Sequence, residues 1–485
     1  MHPSQGDIRK TVKQMKRYLL FFVFLAFQYL QAQEVLTFDL IESYTASEIA
    51  ALGVPDAEYD VDLYTMTYTT IGTDGMPDTA SGSVALPILD MNDDPAPFLI
   101  YHHGTVNDRF DVPSQGSGES QVGLTAATLG YVGLLPDYLG MGTSRGYHPY
   151  LHVETQARSA IDQMLAMSGE LDDRSFSYEK KVFLTGYSQG GHAGASTHFV
   201  MEQNPLPDYE LVACSHLSGP YDLNGVTFEN VLSDDVYLFV AYIPHVLLGM
   251  QEAYGNLFNE VEEIFKPQYA TIIERLYDDE PLFDINQELI GRLILDNGLP
   301  VPKAMLQDSI LAQLETNPNH RIRQALEDNT LTDWAPVTPT RLVYCEADEQ
   351  VNFRNAQVAD SIMNELGAAD LESLNIDPDA NHGGCVEPAL NYTIDFFAGF
   401  RETSNEEQEL VSFDYRLQNV NGGIRVMTEE VFSGSIQIFN LQGQRIAENK
   451  ATQTRSVTLP VSVSGMYVVE LRSEMGTSSK LHFYN

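Results

Sequence analysis

Positive charge is scarce in this chain: Lys and Arg number 27 against 68 Asp and Glu, for a formal net charge of -41. A surface so acidic repels phosphate backbones and anionic headgroups at long range, which argues against nucleic acid as a partner. Cysteine is rarer still. Cys214, Cys345 and Cys385 allow at most one intramolecular disulfide and leave at least one thiol over. Long apolar runs are missing as well. About 20 apolar residues are needed to cross a bilayer, whereas residues 18–30 make a run of 13 interrupted by Gln28, and residues 236–250 are broken by Pro244 and His245. The chain also lacks internal repeats and low-complexity tracts. Its hydrophobic content of 43% is that of a protein with a real core. At roughly 100 to 200 residues per domain, its length leaves room for two to four units.

What is present begins with a leader. Residues 15–33, MKRYLLFFVFLAFQYLQAQ, join a basic pair, a short apolar run and a polar, small-residue exit, the shape of a signal peptide cut near Ala32 or Gln33. Residues 1–33 are therefore expected to be removed on export, with Met15 an alternative start. Export permits disulfides. Cys345 and Cys385 flank the two loops discussed below and are the pair to test, three reduced buried thiols being the standing alternative.

Residues 59–87 alternate apolar and polar positions around a turn-rich centre, a strand-turn-strand pattern. Continuous apolar runs follow, each too short for a helix and each trailed by a loop and a helix-length segment. These are PFLIYHHG (97–104), YVGLLPDYLG (131–140), KVFLTGYSQGG (181–191), YELVACSHLSG (209–219), RLVYCEAD (341–348) and LESLNID (371–377). Strands buried on both faces and alternating with helices imply an α/β fold, a mostly parallel sheet with helices on both faces. From about residue 222 to 339 only helical periodicity occurs, so a helical cap is expected inside a domain spanning 34–401. Tyr237, Phe239, Tyr242, Leu247, Leu248 and Met250 in that cap either line an acyl groove or bury the cap against the sheet. A charged linker (402–410) then leads to short alternating strands punctuated by glycine, a small all-β domain over 411–485.

The sharpest chemical signal is Gly186-Tyr187-Ser188-Gln189-Gly190, placed after a strand and before a helix-length segment. A serine on such a turn is held in a strained conformation with its hydroxyl exposed, and the flanking glycines permit the close chain approach. Its hydroxyl needs a histidine to take its proton and a carboxylate to fix that histidine. In this arrangement the chain order is serine, acid, histidine. Asp348, after the strand RLVYCEA, and His382, in Asn381-His382-Gly383-Gly384, satisfy it. Asp370, Asp377, Asp379 and Glu346 are competitors for the acid. His192 is read as packing, Asp137 as a structural anchor and His103 as a residue pinning its loop. An oxyanion requires two N-H donors, expected from Gln189 and from Gly104 or Thr105. His102, His103, His148 and His152 lack a carboxylate or thiolate at ligand spacing. No metal and no cofactor is expected.

Taken together, the YHHGT loop, PDYLGMG, GYSQGG, the helical insertion, and the ADEQV and NHGG loops resemble an α/β-hydrolase, and more narrowly the secretory-lipase family, over residues 36–401. The resemblance implies hydrolysis of carboxylic esters, lipid or other acyl esters, by Ser188, Asp348 and His382. Residues 411–485 resemble the C-terminal sorting domain of the type IX secretion pathway. The matching text is SGSIQIFNLQGQRI and VSGMYVVELRSEMGTSSKLHF, with a departure in the final HFYN. That resemblance implies the type IX machinery as partner, passage through the periplasm and a secreted or surface location. A β-sandwich that binds a surface or polysaccharide is the other reading of this module. Three rivals to a lipase stand beside the main reading: a prolyl-oligopeptidase-type peptidase, a polysaccharide acetyl or feruloyl esterase, and an inactive surface adhesin. The peptidase lacks its announcing feature, since Glu262 and Glu263 read as a solvated face.

Overall fold

A computed structural model describes residues 33–404, 415–420, 422–440, 445–461, 463, 465–473 and 476–484. The expected leader and most of the expected linker lie outside the described residues. The chain divides after Asp395 into two compact units, within the helix Val386–Ser404. The boundary expected at 401 falls in that same helix.

The first unit is built on one nine-stranded sheet. Strands β1 (Val35–Tyr44), β2 (Val61–Ile71) and β3 (Pro77–Pro87) form an antiparallel meander, and the β2–β3 pair is the strand-turn-strand read from the alternation. The six continuous runs are β4 (Ala96–His102), β5 (Val132–Pro136), β6 (Tyr178–Tyr187), β7 (Glu210–Leu217), β8 (Thr340–Tyr344) and β9 (Leu371–Asn375). The order across the sheet is β1-β2-β3-β5-β4-β6-β7-β8-β9. β3 meets β5 antiparallel, and every later pairing is parallel.

Every residue of β4 and β5 is buried, because both sheet faces are covered. On one face Val182, Leu184, Cys214 and Leu342 pack against the helices Val153–Arg174, Gln189–Gln203 and Arg354–Leu366. Alternate residues of the same strands point the other way, and there Leu217 and Val343 meet Ala389 of the last helix. These period-two alternations are the pleat at work.

Between β7 and β8 the chain forms the expected cap. Its longest helices are Tyr242–Tyr254 and Leu282–Asn297, with shorter turns between and after them. It owns a separate apolar core in which Leu248, Met250, Phe265, Ile285 and Leu289 are fully buried. Among the described residues no helix is long and apolar enough to cross a membrane.

The second unit is all antiparallel: β10 (Tyr415–Val420), β11 (Gly423–Asn440), β12 (Arg445–Pro460), β13 (Gly465–Ser473) and β14 (Gly476–Tyr484). β11 pairs with β10, β12 and β13, and β13 with β14. Ile424, Val426, Ile438, Leu459, Val469 and Leu471 make its small core.

Candidate active site

Three strand ends meet at one edge of the sheet. β6 ends at Tyr187 and the next helix starts at Gln189, so Ser188 alone makes the turn, with φ +61° and ψ -118°. An L residue reaches such a conformation only at a cost in strain. The flanking glycines explain how the turn closes. A Cβ on Gly186 would lie 2.3 Å from the Gly190 carbonyl oxygen, and one on Gly190 would lie 1.9 Å from that of His102. Leu217 at the end of β7 accepts the Ser188 N-H at 2.9 Å and locks the turn to its neighbour.

The two loops beyond Ser188 converge as well. His382 Nδ1 is 2.7 Å from Asp348 Oδ2, and both side chains are nearly sealed from solvent. The other carboxylate oxygen of Asp348 accepts the N-H groups of Gln350 and Val351 at 2.9 and 2.8 Å. The acid is thus pinned by its own loop. His382 is pinned from both sides of its backbone: its N-H donates to Glu349 at 3.0 Å, and its carbonyl accepts the Tyr187 hydroxyl at 2.5 Å. Burial alone would raise the Glu349 carboxyl, but the N-H donors and the nearby His382 outweigh it and hold the group below its usual range. A disulfide between Cys345 and Cys385 ties the end of the acid strand to the end of the histidine loop, and Cys214 is free and buried.

Among the described residues, Asp348 and not a competing acid is hydrogen-bonded to the His382 ring. Asp370 pairs with Arg341, Asp377 accepts the Asp379 N-H, and Glu346 accepts from Asn375. His192 is buried between the Gln156 carboxamide and the Asn329 carbonyl. Asp137 accepts from Ser114 N-H and Ser81 hydroxyl, an anchor for the segment behind the site. His103 contacts the carbonyls of Gly104 and Asp137. Glu262 and Glu263 are exposed.

One expectation needs correction. The Gly104 N-H donates to both carboxylate oxygens of Glu119 at 3.1 Å, so it is not free to meet an oxyanion. Glu119 also accepts the Tyr101 hydroxyl at 2.7 Å, which fixes it under the loop. Among the described residues the N-H groups of Gln189 and Thr105 carry no hydrogen bond. The Thr105 hydroxyl pairs with that of Tyr150 at 2.6 Å, and the Gln189 carboxamide nitrogen donates to His148 at 2.7 Å. His148 accepts there because its other nitrogen donates to the Leu139 carbonyl at 2.8 Å. Burial lowers His148 to about 4, so the ring is neutral at ordinary pH.

A cavity of about 340 Å³ is lined by Ser188, Gln189, Asp348 and Glu349 together with cap residues, among them the apolar Phe228, Val246, Leu247, Leu306, Leu314 and Leu326. Tyr237, Tyr242 and Leu247 face it as the groove reading expects. Leu248 and Met250 are buried in the cap core, and Phe239 stacks on Tyr242. Three of the six cap residues thus line the cavity, while Leu248 and Met250 close the cap's own core and do not pack it against the sheet. Sequence reasoning missed Glu119 and Glu349 and weighed His148 only as a metal ligand. Of the two missed, Glu349, adjacent to Asp348, carried a sequence signal.

The fold and this edge define an α/β-hydrolase. The secretory-lipase family model matches residues 122–391, more than half the chain, and the protein belongs to that family. Among solved structures, the rice cell wall degrading esterase LipA of Xanthomonas oryzae is 28% identical, with a TM-score of 0.66 over 76% of this chain and 98% of that one. A putative hydrolase of Legionella pneumophila is 25% identical with a TM-score of 0.68, covering 78% of this chain and 99% of its own. Lipase A of Candida antarctica shares the fold at 15% identity and a TM-score of 0.56, over 76% of this chain and 82% of that one. No curated protein sequence matches the chain significantly. The protein is a carboxylic ester hydrolase.

Proposed function

We propose that the protein is a secreted serine esterase working through Ser188, His382 and Asp348. The observation that carries this reading is the strained Ser188 turn, which lines the same cavity as Asp348, the partner of a buried His382. His382 Nε2 takes the hydroxyl proton as Ser188 Oγ attacks the ester carbonyl, while Asp348 holds the proton on Nδ1 and stabilises the imidazolium. The oxyanion is met by the N-H of Gln189, at the positive end of its helix, and by that of Thr105. His382 then protonates the leaving alcohol. Water, deprotonated by His382, attacks the acyl-enzyme and releases the acid. No cofactor enters these steps.

The acyl part of the substrate is assigned to the apolar lining of the cavity. Its polar lining, which includes Asp235, Glu346, Gln350 and Asn352, is left for the alcohol part. A second reading, an esterase of cell-wall polysaccharide esters, is favoured by the likeness to LipA, described as degrading the rice cell wall. Hydrolysis of p-nitrophenyl esters from acetate to palmitate separates the two. A maximum at medium or long chains supports the acyl groove, and a maximum at acetate supports the polysaccharide ester. No hydrolysis at any length would contradict both.

Export is part of the proposal. Residues 1–33 would act as leader and residues 411–485 as a sorting domain recognised by the type IX machinery. Support for the latter is the motif text together with a separate antiparallel unit of fitting size. Deleting 411–485 should trap the enzyme in the periplasm, and unchanged release would contradict the sorting role.

A further inference from the structure

Behind the nucleophile turn lies a second cluster with its own chemistry. Cys214 and His216 are two apart on β7, so the pleat turns both side chains to one face. His198 reaches the same spot from the helix Gln189–Gln203 packed on that face. The ligating atoms of His198, Cys214 and His216 all lie within 4.8 Å of one another, and all three residues are buried. We propose that this trio holds one thiophilic d10 cation, Zn2+ or Cu+, which clamps the helix that starts behind Ser188 to the sheet.

Four features point to a ligand set. His198 Nδ1 and His216 Nε2 stand 3.3 Å apart, and two nitrogens bound to one cation at about 2.0 to 2.1 Å, at tetrahedral to trigonal angles, stand about 3.3 to 3.6 Å apart. The far nitrogen of His198 is 2.9 Å from Glu202, which also accepts the N-H of Thr338 at 2.8 Å. A fixed carboxylate on the outer nitrogen keeps the proton there and leaves Nδ1 bare for a cation, the usual outer-shell support of a metal-bound histidine. Gly194 faces His216 where a Cβ would come within 2.9 Å of Nδ1, so the ring can press against the helix. The shell is dry: Trp334 packs edge-on against His198 at 4.8 Å, with Leu184 and Leu342 in the same core.

Binding is balanced by one released proton: the Cys214 S-H bond breaks, a sulfur-metal bond forms, and both imidazoles enter neutral. A mixed nitrogen and thiolate set suits zinc and cuprous ions over calcium or magnesium.

The test uses the full chain, isolated from cells supplied with both metals. Elemental analysis is expected to find one zinc or one copper per chain, and which of the two is present identifies the cation. Since Cys345 and Cys385 are bonded to each other, Cys214 is the one thiol to react with an organomercurial once denaturant opens the core, and that reaction should release the ion in equal amount. Cys214→Ala should lose the metal while retaining esterase activity. Should that variant not fold, the unfolded wild-type chain refolded with Co2+ is expected to develop a thiolate-to-cobalt charge-transfer band. Metal retained by folded Cys214→Ala overturns the proposal. So does a wild-type chain that is metal-free as isolated and shows no such band on refolding. His198 and His216 would then share only a buried hydrogen bond.

Discussion

His382 Nδ1 sits 2.7 Å from Asp348 Oδ2, although the two residues are 34 apart in sequence and belong to different loops. The spacing leaves room for the helix Arg354–Leu366 and strand β9, which return the chain to the same sheet edge. If Asp348 holds the imidazole tautomer, Asp348→Asn should cut kcat by about 10⁴ with the fold intact. Steady-state kinetics with a circular dichroism control checks this. A loss below tenfold would mean that another group orients His382.

The Cys345–Cys385 bond closes a loop with a sequence separation of 40. In the chain-entropy account such a loop is worth about 4 kcal/mol. Replacing both cysteines by alanine should lower unfolding stability by about that amount. Activity should fall more steeply on warming, because the bond joins the acid and histidine loops. Denaturant titration of the two proteins measures the difference.

Gly190 is irreplaceable for a steric reason. A Cβ there would meet the His102 carbonyl oxygen at 1.9 Å and that of His103 at 2.8 Å, both backbone atoms that cannot swing aside. Gly190→Ala should cost more than about 3 kcal/mol and abolish hydrolysis. Chemical unfolding and an ester assay on the same sample check it.

Acid should unfold the enzyme in a defined window. Burial depresses His102 to about 3 and His148 and His192 to about 4. In the unfolded chain these rings return to about 6.5. Below that pH the unfolded state binds more protons, so stability present above pH 6.5 is lost as pH falls towards 4, by on the order of 3 kcal/mol for each ring at most. Asp162 works in the opposite sense: burial raises it to about 6, so it favours the folded state as pH falls. Burial likewise raises Asp137 and Glu252 and lowers His152 and His245, so the lowered imidazoles still outnumber the raised carboxyls. Unfolding free energies measured from pH 7 to pH 4 should decline, and a flat or rising profile would contradict the assignment.

Much of this architecture was readable from residue order because the parallel strands are buried on both faces. They therefore appear as short unbroken apolar runs. Strand β1 was not readable: it pairs only with β2 at the sheet edge, exposes Leu36, Leu40 and Ile41, and so shows no clean alternation. Helical spacing likewise marks Leu247 and Leu248 as apolar. It does not say that one faces the cavity and the other the cap core. The Gly104 amide was misjudged because its direction depends on Glu119, 15 residues away in sequence. His198, Cys214 and His216 show no motif spacing, since a helix and a strand bring them together.

The claim on which the rest depends is that Ser188 is the nucleophile. Incubation with an alkyl fluorophosphonate, which stays covalently on an activated serine, followed by peptide mapping tests it most directly. The account predicts one phosphonyl group per chain, on Ser188, with ester hydrolysis lost in proportion and no labelling of Ser188→Ala. Labelling of a different serine, or full hydrolysis by the Ser188→Ala protein, would contradict it.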